Sequence, residues 1–208
     1  MIVSEQTLSS VIQERRSVRK YDPSFKISRD EIIDILQEAT LAPSSNNLQP
    51  WKFLVFTDEE VKKELRGIAF NQEQVETASA VIAVLGDAEM YHNIEDVYRS
   101  AYEAGYMEEK IMERMIENTS RTYQNASHEV REHIATFDAG LVSMQLMLIA
   151  KARGYDTVPM GGYNKELFKE RFDIGDRYIP TILIALGKAA APGRPTTRFP
   201  VGDVVEFI

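Results

Sequence analysis

The sequence of 208 residues contains no cysteine, and this absence removes several chemistries at once. The chain can form no disulfide, thiol nucleophile or thiolate metal site. It also contains no Gly-x-Gly, so neither a dinucleotide-binding turn nor a P-loop can be argued. A Gly-x-Ser-x-Gly turn is missing too, and there are only three histidines. The common arrangements for nucleophilic catalysis therefore lack their parts.

Positive charge is scarce as well. The chain has 24 lysine and arginine residues against 32 aspartate and glutamate residues, which gives a net charge of −8. Nucleic acids and anionic membranes attract basic faces, so this balance argues against broad binding to either of them. A small local anion site is still allowed, because four cations crowd into six residues: Arg15, Arg16, Arg19 and Lys20.

A metal site is not predicted, although His128 and His133 lie close together on one predicted helix. Five helical residues rotate by about 500°, which leaves the two side chains about 140° apart around the helix axis. Ligands of one metal ion must converge on one point. We therefore expect no metal centre from this pair.

Export and membrane insertion are not indicated either. The first residues lack the basic start, long apolar core and small-residue cleavage site of a signal peptide. The longest apolar segment, residues 139–150, lies between Asp138 and Lys151 and is too short to span a bilayer. Together with the absence of cysteine, these features predict a cytoplasmic protein.

Hydrophobic periodicity and helix-capping residues predict one α+β domain over residues 1–208, with a sheet covered by helices. Ser4 is predicted to begin the first helix, and capping boxes that start at Ser28 and Thr57 are predicted to begin the next two. Asn164 is predicted to cap a late helix. Four segments rich in branched, aromatic and other apolar residues are predicted strands: 51–57, 80–85, 157–160 and 178–186.

Three further segments have distinct characters. Residues 88–127 are polar, with scattered tyrosine and methionine. This composition predicts that they form a variable and mobile helical cover. Residues 128–153 predict a long helix that is apolar almost all round, which its own domain or a partner chain must bury. Residues 188–208 contain several prolines and glycines and end in apolar side chains. We expect this C-terminal arm to dock on a partner subunit.

Two polar features have both a structural and a functional interpretation. The stretch PSSNNLQPWKF, residues 43–53, is most simply a turn between a helix and a strand. The arginine cluster near Arg15 is either a solvated helix end or a cradle for phosphate, whose oxygens arginine binds two at a time. A chain without a nucleophile, a metal or an acid-base pair suits a bound cofactor that supplies the chemistry itself.

Three separated motifs decide between these interpretations. They are RRSVRKY at residues 15–21, PSSNNLQPW at residues 43–51 and PMGG at residues 159–162. In their order and intervals they resemble the nitroreductase family of FMN-dependent oxidoreductases, and the similarity extends over nearly the whole chain. Each motif alone is weak, but the three together are specific for the family.

The resemblance implies a fold and an assembly. The implied fold is α+β and nitroreductase-like, with a central, mostly antiparallel sheet of four strands surrounded by helices. A C-terminal strand is implied to be exchanged between subunits. Members of the family are homodimers with two flavin sites at the interface, so a homodimer is the implied partner arrangement here.

The resemblance also implies site residues. Arg15, Ser17 and Arg19 match side chains that hold the flavin phosphate and ribityl chain, and Arg198 matches a second phosphate arginine. The loop at residues 43–49 matches one that reaches the flavin of the other subunit. The full predicted cofactor-binding set is Arg15, Arg16, Ser17, Arg19, Pro43, Ser44, Ser45, Asn47, Gln49, Asn71, Gln74, Pro159, Met160, Gly161, Gly162 and Arg198.

The implied activity is that of an NAD(P)H-dependent flavin oxidoreductase. NADH or NADPH would reduce FMN and leave, and a nitro compound, quinone or similar acceptor would then take the same place. This ping-pong scheme needs no catalytic side chain, because N5 of the flavin carries the chemistry. Gly161 and Gly162 match a turn whose backbone amides face the ring near N5.

The chain departs from the family pattern at three places. Gln74 stands where lysine is frequent, the pair Ala78-Ser79 stands where many relatives have alanine-proline, and residues 88–127 diverge. These departures leave two alternatives open. One is a flavin enzyme with a narrower substrate, such as a reductive dehalogenase or a flavin-consuming relative. The other is a non-catalytic flavin-binding or regulatory protein.

Overall fold

The fold is that of a helix-covered sheet, described for residues 7–208 by a computed structural model. The helices are α1 (Leu8–Glu14), α2 (Arg29–Ala39), α3 (Glu59–Ile68), α4 (Glu73–Thr77), α5 (Ile94–Glu103), α6 (Glu109–Asn125), α7 (His128–Ala152) and α8 (Lys165–Arg171). The strands are β1 (Trp51–Phe56), β2 (Ala80–Asp87), β3 (Asp156–Met160) and β4 (Tyr178–Gly187). Short 3₁₀ turns occur at Ser45–Asn47, Met90–Asn93 and Val201–Asp203.

The four strands form one antiparallel sheet in the order β1-β2-β4-β3. This confirms the predicted α+β class and the predicted four-stranded antiparallel sheet. All eight residues of β2 are buried, because helices cover both faces of the sheet. Successive side chains of a strand point to opposite faces, so both sets of alternate positions in β2 must be apolar. The continuous run AVIAVL is explained by this double burial.

The sheet separates two of the three hydrophobic core clusters of residues 7–208, and the third lies around α5 and α6. On one side, which we call the α3 side, Ala83 of β2 packs with Leu65 of α3 and Phe168 of α8. On the other, the α7 side, Ile82 packs in a cluster with Leu146 of α7. Burying a side chain such as Leu or Phe contributes about 1.5–3 kcal/mol. Burial of apolar side chains therefore stabilises the packing on each side of the sheet separately.

Helix α7 is the central helix of the α7 side. Among the described residues it is the one helix long and apolar enough to cross a membrane, judged by length and composition. Its residues Val142, Leu146 and Ala150 are buried and belong to the same core cluster as β2. A buried core helix meets the same criterion, and the packing identifies α7 as a core helix.

Four predicted helix caps have different outcomes, and Asn164 caps α8 as predicted by accepting a hydrogen bond from the backbone N–H of Leu167. Ser28 caps α2 as predicted, because its side chain accepts a hydrogen bond from the backbone N–H of Glu31. The prediction that Thr57 caps α3 is wrong, since the carboxylate of Asp58 accepts from the backbone N–H groups of Glu60 and Val61 at 2.9 and 3.0 Å. The predicted cap at Ser4 lies outside the described residues, and α1 begins after Thr7.

The segments predicted as a helical cover and a C-terminal arm differ in their contacts, and both roles stay predictions. Residues 88–127 contain α5 and α6, which pack on each other through Tyr98, whose hydroxyl lies 3.2 Å from that of Thr119. Residues 188–208 contain no strand apart from a single bridge at Ala189, and large apolar side chains of this arm are exposed, including Phe199 and Phe207. Exchange of this arm between subunits stays a prediction.

The cap of α3 is open to test by two substitutions. Asp58→Ala removes the acceptor for two backbone N–H groups, so we expect the free energy of unfolding to fall by about 1 kcal/mol. Thr57→Ala, at the position that the sequence pattern favours, should change it by less than about 0.5 kcal/mol. Urea unfolding of both variants measures the difference. A larger loss for Thr57→Ala would contradict the assigned cap.

Candidate functional site

The arginine-rich segment lies between β3 and the C-terminal arm. On one side Ser17 forms a parallel bridge with Thr157, and the backbone N–H of Val18 donates to the carbonyl of Thr157 at 3.1 Å. On the other side the backbone N–H of Ala190 donates to the carbonyl of Lys20 at 2.8 Å. These bonds hold the segment in an extended shape, so its side chains are placed by the sheet as well as by the end of α1.

Gly193 allows the arm to approach this segment closely. A Cβ atom at Gly193 would lie 2.5 Å from the Cβ of Arg16 and 3.1 Å from the carbonyl oxygen of Ser17. Neither neighbour is the flexible end of a side chain, so any larger residue would push the arm away. The guanidinium of Arg16 donates to the carbonyls of Gln13 and Arg15. Arg16 therefore closes the end of α1, and its side chain does not line the cavity described next.

A cavity of about 530 Å³ opens where the segment, the arm and α4 meet. Its lining residues are Ser17, Arg19, Lys20, Glu73, Gln74, Pro192, Gly193 and Arg194. Lys20 pairs with Glu73, and this contact lowers the pKa of the Glu73 carboxyl. Arg19 and Arg194 belong to no ion pair among residues 7–208, so the cavity keeps an excess of positive charge. We call it the cation-lined cavity, and such a lining suits a phosphate dianion.

The structure adds Arg194 to this cavity, a residue that the sequence pattern did not single out. The guanidinium of Arg198 instead donates to Thr196 and Thr197 within the exposed arm, at 2.9 and 2.7 Å. Arg15 ends α1 and is also absent from the lining. In the single chain, Ser17, Arg19 and Gln74 are thus the predicted residues that meet here.

Glutamine side chains connect α4 to the glycine turn that follows β3. The amide of Gln74 donates to the sulfur of Met160 at 3.3 Å and to the side-chain oxygen of Gln72 at 3.0 Å. The amide of Gln72 in turn donates to the carbonyl of Gly162 at 2.9 Å. A Cβ at Gly161 or Gly162 would meet nothing within 4 Å, so the turn has open space beside it. A flat ring could approach the backbone there.

Asn71 and Pro159 flank this arrangement. Asn71 has a φ of 59° and lies just before α4, where its carbonyl accepts from the side chain of Arg66. Pro159 pairs with Ile184 in the sheet, which leads β3 directly into the glycine turn. Gln72 was not predicted as a site residue. Only the fold shows that it contacts the turn, 90 residues further along the chain.

The predicted polar loop, residues 43–49, is built on the α7 side. Ser44 precedes the 3₁₀ turn, and its hydroxyl accepts from the backbone N–H of Gln49 at 3.0 Å. Asn46, Asn47 and Gln49 all have a positive φ, of 53°, 56° and 50°. Asparagine tolerates this left-handed conformation better than most residues, but glutamine does not. The loop therefore needs contacts that hold it in shape.

Those contacts come from three other elements. The carboxylate of Asp138, on α7, accepts from the backbone N–H of Ser45 at 2.9 Å and from its hydroxyl at 3.2 Å. Tyr123 of α6 donates to the side-chain oxygen of Asn46 at 3.0 Å. Asn93 donates to the carbonyl of Leu48 at 2.9 Å. None of these three supports was predicted from the sequence.

The two groups of predicted residues are separate within one chain. Val18 and Met160, which flank the cation-lined cavity, belong to the core on the α3 side. Ala42, which leads into the polar loop, belongs to the core on the α7 side. The sheet lies between the two sides. A single chain therefore does not bring residues 43–49 to the cation-lined cavity.

A second cavity, of about 730 Å³, lies between the polar loop and α5. It is lined by Asn47, Leu48, Gln49, Trp51, Asn93, Asp96, Val97, Ser100, Ala101, Ala104 and Tyr106. The lining contains both amide groups and apolar surface, and Asp96 is its single charged residue. We call it the loop cavity. Its chemistry suits a flat, uncharged aromatic molecule better than an anion.

Comparisons with known proteins show similarity over nearly the whole chain. The family model described as "Nitroreductase family" matches residues 12–188. The chain is 45% identical over 199 residues to the Bacillus subtilis protein named "Putative NAD(P)H nitroreductase YdgI", with 95% of each chain covered. It is 35% identical over 204 residues to the CLA biosynthesis enone reductase of Lactiplantibacillus plantarum, covering 97% of this chain and 94% of that protein.

Solved structures agree as well. The crystal structure of a "putative nitroreductase in complex with FMN" from Exiguobacterium sibiricum superposes with a TM-score of 0.94. It is 45% identical in sequence, and the match covers 98% of both chains. The crystal structure of the enone reductase CLA-ER has a TM-score of 0.88 at 34% identity and covers 98% of both chains.

The two arm arginines are expected to differ in anion binding. Inorganic phosphate should stabilise the protein against thermal unfolding by binding the cation-lined cavity. Arg194→Ala should weaken phosphate affinity about tenfold, since a charged hydrogen bond contributes about 1.5–3 kcal/mol. Arg198→Ala should change it less than threefold if the arm keeps this position. Calorimetric titration measures both affinities, and the reverse order would assign the phosphate contact to Arg198.

Proposed function

Because the chain belongs to the nitroreductase family, we propose that it reduces nitro compounds, quinones or similar acceptors with NAD(P)H in a two-electron ping-pong scheme. The chain is an FMN-dependent oxidoreductase, as the family match, the NAD(P)H nitroreductase relative and the FMN-bound structural neighbour together support. The observation that carries the proposal is the meeting of Ser17, Arg19 and Gln74 at one cavity with a surplus of positive charge.

The residues present fit FMN in charge and shape. Arg19 and Arg194 offer guanidinium groups to the phosphate, and the Ser17 hydroxyl can donate to a phosphate or ribityl oxygen. Gly193 keeps the arm close enough to form one wall of the cavity. The open backbone at Gly161 and Gly162 leaves room for a ring edge. We therefore propose that these residues hold the cofactor on the α3 side of the sheet.

FMN supplies the redox chemistry when it is bound, since it can accept a hydride from NAD(P)H and pass two electrons to an acceptor. The chain itself has to bind, orient and exclude water. Gln72 and Gln74 link α4 to the glycine turn. They therefore fix the position of the turn relative to α4 at the proposed ring site. Gln74 is 6% exposed and uncharged, and its amide nitrogen already donates to Gln72 and Met160, so its side-chain oxygen could accept a hydrogen bond from the ring.

The polar loop is proposed to complete the site of a partner subunit. In one chain it lies on the far side of the sheet from the cation-lined cavity, so a second copy of the chain must provide it. The exposed apolar arm, with Phe199 and Phe207, supports the same arrangement, since burying these rings against a partner would be favourable. A homodimer with shared sites, arm docking and a cytoplasmic location are all parts of this proposal.

The loop cavity is the proposed place of the electron acceptor. Trp51 and Tyr106 offer aromatic surface, and the amides of Asn47 and Gln49 offer hydrogen bonds to nitro or carbonyl oxygens. Asp96 adds a negative charge and no lining residue opposes it. Neutral acceptors should therefore be preferred over anionic ones.

Reduction of conjugated enones is a second candidate activity. It is favoured by the similarity to the CLA biosynthesis enone reductase, which is 35% identical over nearly the full length. The loop cavity could accept such a substrate, since Leu48, Val97 and Ala101 give it an apolar wall. Turnover of a simple conjugated enone with NADH, compared with turnover of a nitroarene and a quinone, ranks the candidates.

Flavin reduction tests the proposed function directly. The purified protein should turn yellow with FMN, and anaerobic addition of NADH or NADPH should bleach its visible absorbance. Re-oxidation by a nitroarene or a quinone should restore the colour. A protein that stays yellow with both nucleotides would be a non-catalytic flavin binder. A protein that remains colourless after FMN is added would contradict every flavin-based function.

The charge of Asp96 should set a measurable acceptor preference. Asp96→Asn should raise kcat/KM for 4-nitrobenzoate about three- to fivefold, because an exposed charge contributes up to about 1 kcal/mol. The value for the neutral methyl ester should change less than twofold. Glu103→Gln is a matched control, since Glu103 lies on the same helix outside the cavity lining. An equal gain in the control would mean that overall charge, not Asp96, decides the preference.

A further inference from the structure

We propose that Asp138 is a positioning residue that holds the polar loop in the shape with which Asn47 meets the flavin of the partner subunit. Asp138 lies on α7, a core helix, 93 residues away from the loop that it contacts. It lines neither the cation-lined cavity nor the loop cavity. The contact with the partner's flavin rests on the proposed function, whereas the anchoring of the loop does not.

The geometry is that of a two-point anchor. One carboxylate oxygen, Oδ2, accepts from the backbone N–H of Ser45 at 2.9 Å, and the other, Oδ1, accepts from the Ser45 hydroxyl at 3.2 Å. Two bonds from one carboxylate fix both the position and the rotation of Ser45. Ser45 is the first residue of the 3₁₀ turn, so its placement sets the direction of Asn46 and Asn47.

Asp138 lowers the stability of the fold if packing is its only role. The residue is 1% exposed, and no ion pair among residues 7–208 includes it. A buried carboxylate without a cation costs stability unless hydrogen bonds compensate for lost water. Burial raises the pKa of the Asp138 carboxyl, and the two bonds from Ser45 only oppose that rise. An apolar residue would pack at this position of α7 with less cost.

The loop needs such an anchor because its backbone is strained. Asn47 and Gln49 both have a positive φ, and each such residue costs on the order of 1 kcal/mol or more when it is not glycine. Strained backbone persists only where the surroundings determine it. Tyr123 holds Asn46, and burial together with the nearby charge of Asp138 raises the pKa of the Tyr123 hydroxyl. Asp138 and Tyr123 thus support the same turn from two helices.

Removal of the anchor should loosen the loop without unfolding the core. In Asp138→Ala the backbone N–H groups of Asn47 and Leu48, which donate to Ser44 and Ser45, should exchange with deuterium at least tenfold faster. Amides of β2 should keep their protection. The affinity for FMN, measured by reconstitution of the apoprotein, should fall about tenfold, and the visible circular dichroism of the bound flavin should change.

Three further variants separate positioning from plain stability. Asp138→Asn should keep most of the wild-type protection of the loop and most of the FMN affinity. Its amide oxygen can accept from the Ser45 N–H, and its NH₂ can donate to the hydroxyl. Ser45→Ala should cause a smaller loosening and should add little to Asp138→Ala in the double variant. Ser143→Ala is the matched control. Ser143 is buried on the same helix and donates to the carbonyl of Ala139 at 2.6 Å, so its loss should lower stability without changing the loop or the flavin.

The pH dependence of stability provides an independent check. The folded state raises the Asp138 pKa, so it binds more protons than the unfolded state over the range between the two pKa values. The contribution of this group to the free energy of unfolding therefore falls as pH rises through that range. Asp138→Asn does not titrate, so its stability relative to the wild type should increase with pH.

Two results would overturn the proposal. Unchanged exchange of the Asn47 and Leu48 amides in Asp138→Ala would show that Asp138 does not hold the loop. Faster exchange with unchanged flavin affinity and circular dichroism would show that the loop shape does not matter to the flavin. If the wild type binds no FMN, the proposed function fails, but the exchange measurement still decides the anchoring role.

Discussion

Double burial of β2 is the constraint on which the rest of the structure depends. Every residue from Ala80 to Asp87 is buried, so both faces of the strand must be covered by helices. This requirement creates two half-cores, one with α3 and α8 and the other with α2 and α7. The two halves of the proposed flavin site lie on these opposite sides. The proposal that a second chain completes the site rests on the same constraint.

Polar side chains at the candidate site are held by neighbours from distant parts of the chain. Gln72 reaches the glycine turn after β3, Asp138 holds Ser45, and Tyr123 holds Asn46. Each of these contacts gives a polar group a hydrogen-bond partner, and the last two also hold a loop whose backbone is strained. The supports are attached to α4, α6 and α7, whose apolar faces pack into the core. The core thereby transmits its rigidity to loops that have little apolar surface of their own.

Local sequence patterns predicted most of the secondary structure. The four strands and the long helix were found because apolar runs and capping residues act over a few positions, and the cap at Ser28 was confirmed for the same reason. Asp58 was missed as a cap because Thr57 also fits a capping box, and only backbone geometry distinguishes the two. Helix α4 was missed because its five residues carry too short a pattern.

The sequence by itself determined the α+β class, the four strands and the family, since three motifs and short-range periodicity are written along the chain. It also excluded disulfides, thiol nucleophiles and thiolate metal sites, because the sequence contains no cysteine. Only the tertiary structure placed Arg194 at the cation-lined cavity, separated the polar loop from that cavity and joined Asp138 to Ser45. These facts depend on contacts between residues far apart in the chain. No local propensity encodes such contacts, which arise only when the two half-cores close around β2.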